Sequence, residues 1–303
     1  MRERAALLAR LRVFFAERGF LEVETPLLDG EIIPELHIEP FRVEDSLWLQ
    51  ASPELHMKLL LAEGLPAIYQ ITRSFRRGER GRLHNPEFTM VEWYRAGDNL
   101  EAGISLLTDL CREVAGATAV TRTTYAEAFQ EYAGVDPHRV TPAELVAAAT
   151  RWGVSVPDAI HAEDRDEWLN LLLAARVEPR LGTNGPEILY DYPASQSALA
   201  TTVRRADGVE VAERFELYWQ GIELANGYHE LTDAAGLRQR LERVNEQRTA
   251  DGRPALPLPE RLLAAMERPG LPPCSGCALG FDRLAMLACG AESIDQVMAF
   301  TSD

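Results

Sequence analysis

Five arginines lie from Arg73 to Arg82 in this chain, and Glu87 and Glu92 stand just beyond them; all but Arg73 fall within "FRRGERGRLHNPEFTMVEWYR" at 75–95. A guanidinium offers a planar fork of donors that matches a phosphate or a carboxylate. A carboxylate beside an aromatic ring suits an ammonium group. If 88–95 is a strand, its period of two brings Phe88, Met90, Glu92 and Tyr94 to one face. That face could stack a planar base and bind an amine, with Arg76 at the end of the partner strand. The same residues also describe a solvated hairpin laced by cross-strand ion pairs.

Two further stretches have chemical content. Glu223-Leu-Ala-Asn-Gly-Tyr-His-Glu230 puts two carboxylates and an amide in an apolar-flanked strand, where charge is costly unless paired or metal-bound. Carboxylates that share a hard divalent ion with substrate phosphates are the usual way of holding Mg²⁺. The spacing of seven is odd, so a regular strand points the two glutamates to opposite faces. An irregularity at Asn226-Gly227 could bring them together, and a turn with two solvated glutamates fits equally well. In "GCALGFDRL" (276–284), Gly276, Ala278 and Gly280 let a ligand approach the backbone. Arg283 then projects from a first helical turn, with Asp282 available to orient it. Tight helix–sheet packing is written with the same small residues. Cys274 and Cys277 have CxxC spacing, but a second ligand pair at comparable spacing is missing, so packing is favoured over zinc or redox use.

These residues need elements to position them. Leu7, Leu8, Leu11, Phe14 and Phe15 recur at helical spacing, and Gly19 marks a stop. "FLEVETPLL" alternates as a strand closed by Pro26. "SPELHMKLLLAEG" (52–64) opens with a capping pattern and runs apolar to Gly64 as a helix. Strands are expected over 67–76 and 88–95, joined by a long polar loop. A helical, Ala-rich stretch follows to about Gly182, and two strands then surround Gln220-Gly221. The end reads as a small-residue strand running into a helix. The fold class is α+β, built on a mostly antiparallel sheet. The chain has neither a P-loop nor GxGxxG, so a nucleotide must be held in another way.

The totals limit the function classes. With 303 residues, 46% hydrophobic and 26% charged, the chain can bury a substantial core. A net charge of −16 argues against stable nucleic-acid binding. Neither a membrane-spanning run nor a basic-then-apolar leader is present, which makes a cytoplasmic location the expectation. Lys58 is the one lysine beside thirty arginines. This bias reads as genome composition, and no chemistry is assigned to it.

Taken together, "FLEVETP", "FR…HNPEFTMVEWY" and "GCALGFDRL" resemble motifs 1, 2 and 3 of the class II aminoacyl-tRNA synthetases. "GIELANG.HEL" resembles the lysyl branch of that family, and the likeness runs from about Arg2 to the C-terminus. "SPELHMK", "VEPRLG" and "YDYPASQSALA" are similar to free-standing paralogues of that branch that modify elongation factor P. The resemblance implies a single catalytic domain over 1–303 with a helical insertion at about 100–182 and no anticodon-binding domain. It implies a homodimer joined through motif 1, with ATP and Mg²⁺ as cofactors. Arg76 and Arg283 are the implied catalytic residues, and with His84, Asn85, Phe88 and Glu223 they bind ATP. Ser52, Glu54, Glu92, Tyr94, Asn226, Glu230 and Ala278 bind the amino acid, and Glu223 and Glu230 hold Mg²⁺. The implied reaction activates (R)-β-lysine or lysine as an adenylate and passes it to a lysine of elongation factor P. A truncated enzyme that charges tRNA or another carrier, and a silent amino-acid- or nucleotide-binding paralogue, are the alternatives. One departure from the family pattern stands out. Motif 2 ordinarily reads Phe-Arg-x-Glu, whereas Gly78 occupies the fourth position here and Glu79 follows it.

Overall fold

The computed structural model describes residues 1–157 and 160–302. It divides into two compact units, one made of Met1–Gly103 with Glu230–Asp303 and the other of Ile104–His229.

The first unit opens with α1 (Arg2–Glu17), whose inward stripe is Leu7, Leu11, Phe14 and Phe15, all buried. The expected strand over "FLEVETPLL" is much shorter than its alternation suggests. Before Pro26 only β1 (Leu21–Glu22) pairs as a strand, in parallel with β5. Val23 gives one more hydrogen bond to the Tyr69 carbonyl before the chain turns away. β2 (Leu28–Asp29), β3 (Arg42–Glu44) and β4 (Leu47–Leu49) form a small sheet in the order β2-β4-β3. α2 (Glu54–Ala62) comes next. β5 (Ala67–Phe75) and β6 (Glu87–Ala96) then pair antiparallel, from Ala67 opposite Arg95 to Phe75 opposite Glu87. This is the hairpin expected from the sequence.

α3 (Leu100–Glu113) leads into the second unit, where α4 (Tyr125–Tyr132), α5 (Pro142–Arg151) and α6 (Arg165–Leu172) follow. The α4 and α5 starts are fixed by reciprocal capping boxes, Thr124 with Glu127 and Thr141 with Glu144. The stretch that reads as helical therefore is so, except for a short strand the sequence reading passed over, β7 (Thr121–Thr124). β8 (Glu187–Pro193), β9 (Thr202–Arg204), β10 (Glu210–Trp219) and β11 (Ile222–His229) complete the unit. β11, β10, β8 and β7 lie side by side in that order, and β9 also pairs with β10. Gln220 and Gly221 join β10 to β11 with positive φ at both residues, 55° and 70°, as a two-residue hairpin turn requires. Tyr125, Phe129, Leu145, Leu169 and Leu189 are among the fully buried residues of this unit's core.

The chain returns to the first unit through α7 (Ala234–Ala250) and α8 (Glu260–Ala265). β12 (Cys274–Gly280) then pairs antiparallel with β6, from Cys274 opposite Ala96 to Gly280 opposite Met90. It runs directly into α9 (Phe281–Ala288). The first unit's main sheet is thus β1-β5-β6-β12, with β6 in its interior and both α2 and α9 packed against it. The α+β class with an antiparallel-dominated sheet is the one expected.

Candidate active site

Three elements of the first unit converge on a buried cluster of charge. β6 contributes Glu92 and Tyr94, and the Tyr94 hydroxyl donates to Glu92 Oε1 at 2.7 Å. α2 contributes Glu54 and Lys58, four residues apart and so on one helix face. Lys58 Nζ lies 2.5 Å from Glu54 Oε1 and 2.7 Å from Glu230 Oε2. The Lys58 side chain is only 3% exposed and that of Glu230 1%. Burial opposes charge on Lys58, but the carboxylates of Glu230 and Glu54 outweigh it and hold the ammonium protonated.

β12 roofs this cluster with the smallest residues available. Gly276 sits opposite Tyr94, and a Cβ there would come within 2.2 Å of Tyr94 Cε1 and 2.7 Å of Glu230 Oε1. Ala278 is opposite Glu92. Lys58 is thus paired with Glu54 and Glu230, and the Glu92 carboxyl lies beside them. Burial, and then the charge of Glu54, push the Glu92 pKa well above the usual carboxylate range. Its Oε2 is buried without a hydrogen-bond partner. Burial and the same three carboxylates also raise the Tyr94 phenol.

The helix start at Ser52-Pro53-Glu54 differs from the capping box expected. Pro53 occupies the N-cap position, and Ser52 Oγ accepts the Glu54 N–H at 3.3 Å. The Glu54 carboxylate turns to Lys58 instead of back to the helix end. The sequence reading missed Lys58 by treating the lone lysine as composition. Its spacing of four from Glu54 was the available signal.

At the other end of β6, the Arg76 guanidinium carbon stands 5.0 Å from the Phe88 ring centroid. Arg76 Nε is buried and unpartnered. Gly78 has φ +82°, a conformation that favours glycine, and the turn it makes leaves Glu79 3.9 Å from Arg76. Glu79, the residue after Gly78, thus faces the arginine. Arg283, in the first turn of α9, reaches back to this loop. Its Nη2 is 2.7 Å from His84 Nε2, and its Nε donates to the Leu83 carbonyl. Burial, and then Arg283, depress the His84 pKa, which keeps the ring neutral and able to accept.

Several other residues of this region have partners within the protein. Arg80 pairs with Asp295, Arg82 donates to the Glu292 carbonyl, and Arg73 lies 3.5 Å from Glu87. Arg73–Glu87 is a cross-strand ion pair of the plain hairpin reading, whereas Arg80 and Arg82 are engaged by the C-terminal segment. Asn85 is buried, donating to the Glu87 carbonyl and accepting from the Ser302 N–H, so its amide pins the loop to the C-terminal tail. Asp282 does not orient Arg283 as expected. Its two oxygens take the Arg4 guanidinium and the Thr89 N–H. Cys274 and Cys277 are free, buried thiols three residues apart on a strand, so they point to opposite faces as packing residues.

Glu223 and Asn226 belong to β11 in the second unit. The irregularity expected at Asn226-Gly227 is not there: Asn226 pairs regularly with Glu216 and Gly227 with Phe215. The irregularity falls instead at Leu224: Tyr218 pairs with Glu223 and Leu217 with Ala225, so β11 carries the extra residue just after Glu223, within the Glu223–Glu230 segment. Asn226 Nδ2 donates to the Tyr228 hydroxyl at 2.9 Å, while Oδ1 is buried without a partner. Glu216, which the sequence reading passed over, is buried and accepts from the Tyr192 and Tyr218 hydroxyls beside Arg214. Among the described residues no group of three or more His, Cys, Asp or Glu side chains forms a preformed metal cage.

The family model for tRNA synthetases class II (D, K and N) matches residues 1–303. The elongation factor P–(R)-β-lysine ligase of Klebsiella pneumoniae subsp. pneumoniae is 45% identical over 311 residues, covering 99% of this chain and 94% of that protein. The proteins of the same name from Salmonella paratyphi B and Salmonella heidelberg match with the same identity and coverage.

Proposed function

The chain belongs to the class II tRNA synthetase family (D, K and N), and from that premise we propose that it is an ATP-dependent ligase for (R)-β-lysine or lysine. The observation that carries the amine specificity is the buried cluster in which Lys58 is held by Glu54 and Glu230 while the buried Glu92 carboxyl beside them keeps an unpartnered oxygen. A substrate ammonium offered to Glu92 and Tyr94 supplies a donor to the unpartnered Glu92 Oε2.

In this reading Phe88 stacks on the adenine of ATP and Arg283 covers it, with His84 turned toward the γ-phosphate. Arg76 holds the α-phosphate and the amino-acid carboxylate. A carboxylate oxygen attacks the α-phosphorus, pyrophosphate leaves, and an aminoacyl-adenylate remains. A lysine ε-amine of elongation factor P, the acceptor in the names of the relatives, then attacks the carbonyl and releases AMP. These steps need oriented charge and positioning, and no protein nucleophile. Mg²⁺ suits the chemistry because it binds through one or two carboxylates and the substrate's own phosphate oxygens. It neutralises the phosphates, and Glu223 is the carboxylate we assign to it. Glu230, already paired with Lys58, fits an ammonium better than a metal.

Association into a homodimer is supported by the exposed apolar residues Val13, Leu21, Leu27 and Leu28 along α1 and the motif 1 segment. Among the described residues no helix is long and apolar enough to cross a membrane.

Amino-acid-dependent ATP–pyrophosphate exchange tests activation, and absence of exchange with every lysine isomer overturns it. Mass measurement of elongation factor P after incubation, run beside a tRNA charging assay, tests transfer. Charging of tRNA with no mass gain on the protein overturns the acceptor assignment.

A further inference from the structure

The side of β6 that faces away from Phe88 carries a closed ring of three buried residues which the reaction described above does not use. Arg4, in the first turn of α1, places Nη1 2.5 Å from Asp282 Oδ1 and Nη2 2.8 Å from Thr89 Oγ1. Asp282 Oδ2 closes the ring by accepting the Thr89 backbone N–H at 2.7 Å. The Arg4 guanidinium also lies over the Phe281 ring, 4.7 Å from its centroid. Arg4, Thr89 and Asp282 are all buried. The two fork positions of one guanidinium thus reach both the strand and the helix, a geometry that a lysine ammonium cannot reproduce.

The neighbours of the ring in sequence make it informative. Thr89 directly follows Phe88, and Asp282 directly precedes Arg283. The ring therefore fixes the backbone of β6 at Phe88 against the first turn of α9 at Arg283. These are the two residues assigned to opposite faces of the adenine. Buried ion pairs of this kind bring little net stability over well-packed apolar residues, so stability alone is a weak reason to bury one here.

We propose that Arg4 is a positioning residue for nucleotide binding, setting the gap between Phe88 and Arg283 through Thr89 and Asp282. This rests on the assignment of Phe88 and Arg283 to ATP. It adds a residue from the motif 1 helix to the determinants of ATP affinity, although Arg4 itself touches neither substrate.

The test uses Arg4→Lys, which keeps the charge beside Asp282 and loses the fork, and Thr89→Val, which removes only the hydroxyl acceptor. ATP–Mg²⁺ binding by calorimetry gives a readout that needs no turnover, and exchange kinetics give separate KM values for ATP and amino acid. Arg4→Lys is expected to weaken ATP about 10-fold, and Thr89→Val about 3-fold, since sub-ångström misplacement at this distance carries penalties of that order. The amino-acid KM should stay near that of the parent, while the unfolding temperature falls by a few degrees as a buried charge-assisted bond is lost. If both variants keep ATP affinity within two-fold, or lose affinity for ATP and amino acid equally, the positioning role is overturned. A parent chain that binds ATP but catalyses no exchange overturns the ligase reading and leaves this measurement intact. A parent that binds no ATP overturns both.

Discussion

Glu92→Gln separates the functional cost of the acid cluster from its structural cost. In the amino-acid-free protein the Glu92 carboxyl is buried, with one oxygen unpartnered and two other carboxylates nearby. Burial raises its pKa, so the folded state holds a proton that the unfolded chain releases in the ordinary carboxylate range. Stability is therefore lost as pH rises from that range up to the raised value, by about 1.4 kcal/mol per unit at most. Glutamine has the shape of the protonated acid and no such penalty. Glu92→Gln should unfold at the same temperature as the parent near pH 4.5 and at a higher one at pH 7.5. The gain expected is about 2–6 °C, since each kcal/mol shifts a chain of this size by about 2–4 °C. Binding should move the other way. A charge-assisted hydrogen bond contributes about 1.5–3 kcal/mol, which corresponds to roughly 10–150-fold in the KM for lysine or (R)-β-lysine. The ATP KM should not change. Scanning calorimetry across pH and ATP–pyrophosphate exchange read the two effects. A lysine KM within three-fold of the parent, or a variant less stable than the parent at pH 7.5, refutes the reasoning.

Two further substitutions probe the same cluster. Gly276→Ala inserts a methyl group 2.2 Å from Tyr94 and 2.7 Å from Glu230. It should abolish amino-acid-dependent exchange while ATP binding, measured by calorimetry, survives, and retained exchange would show that the pocket roof yields. Lys58→Met leaves Glu54 and Glu230 without their shared cation, and losing one partner of a buried pair costs about 3–5 kcal/mol. A clear fall in denaturant midpoint is expected, and an unchanged midpoint would mean that the ammonium contributes nothing to holding the cluster.

The parts of this architecture set by local rules were legible in the sequence. The β5–β6 hairpin, the α2 helix, the Gln220-Gly221 turn and the β12–α9 junction follow from periodicity and turn chemistry. The period of two also put Phe88, Met90, Glu92 and Tyr94 on one face. What failed depended on partners distant in sequence. "FLEVETPLL" has the alternation of a strand, but pairing is decided by whichever edge is on offer: Leu21 and Glu22 pair with β5, and Leu28 pairs with β4 in a separate sheet. Asp282 has an arginine beside it in sequence and binds another 278 positions away. Lys58 looked like composition because its importance lies in Glu230, far along the chain. Gly78 looked like a defect until its φ of +82° showed that the turn itself returns Glu79 to Arg76.

The arrangement makes β6 a ruler. Phe88 and Glu92 are four residues apart on one face, about 13 Å at the rise of an extended strand. Within that span lie the places assigned to the base, the reacting phosphate and the amine. The alternate residues anchor the ruler from behind: Thr89 is tied to Arg4 and Asp282, and Val91 and Trp93 are buried. A one-residue slip of the strand would exchange the two faces, putting Thr89, Val91 and Trp93 toward the ligands and the charged residues into the core. On the proposed assignment of these residues, register is part of substrate recognition. It is held by β5 on one side and β12 on the other, and, at the nucleotide end, by a guanidinium delivered from the first turn of α1.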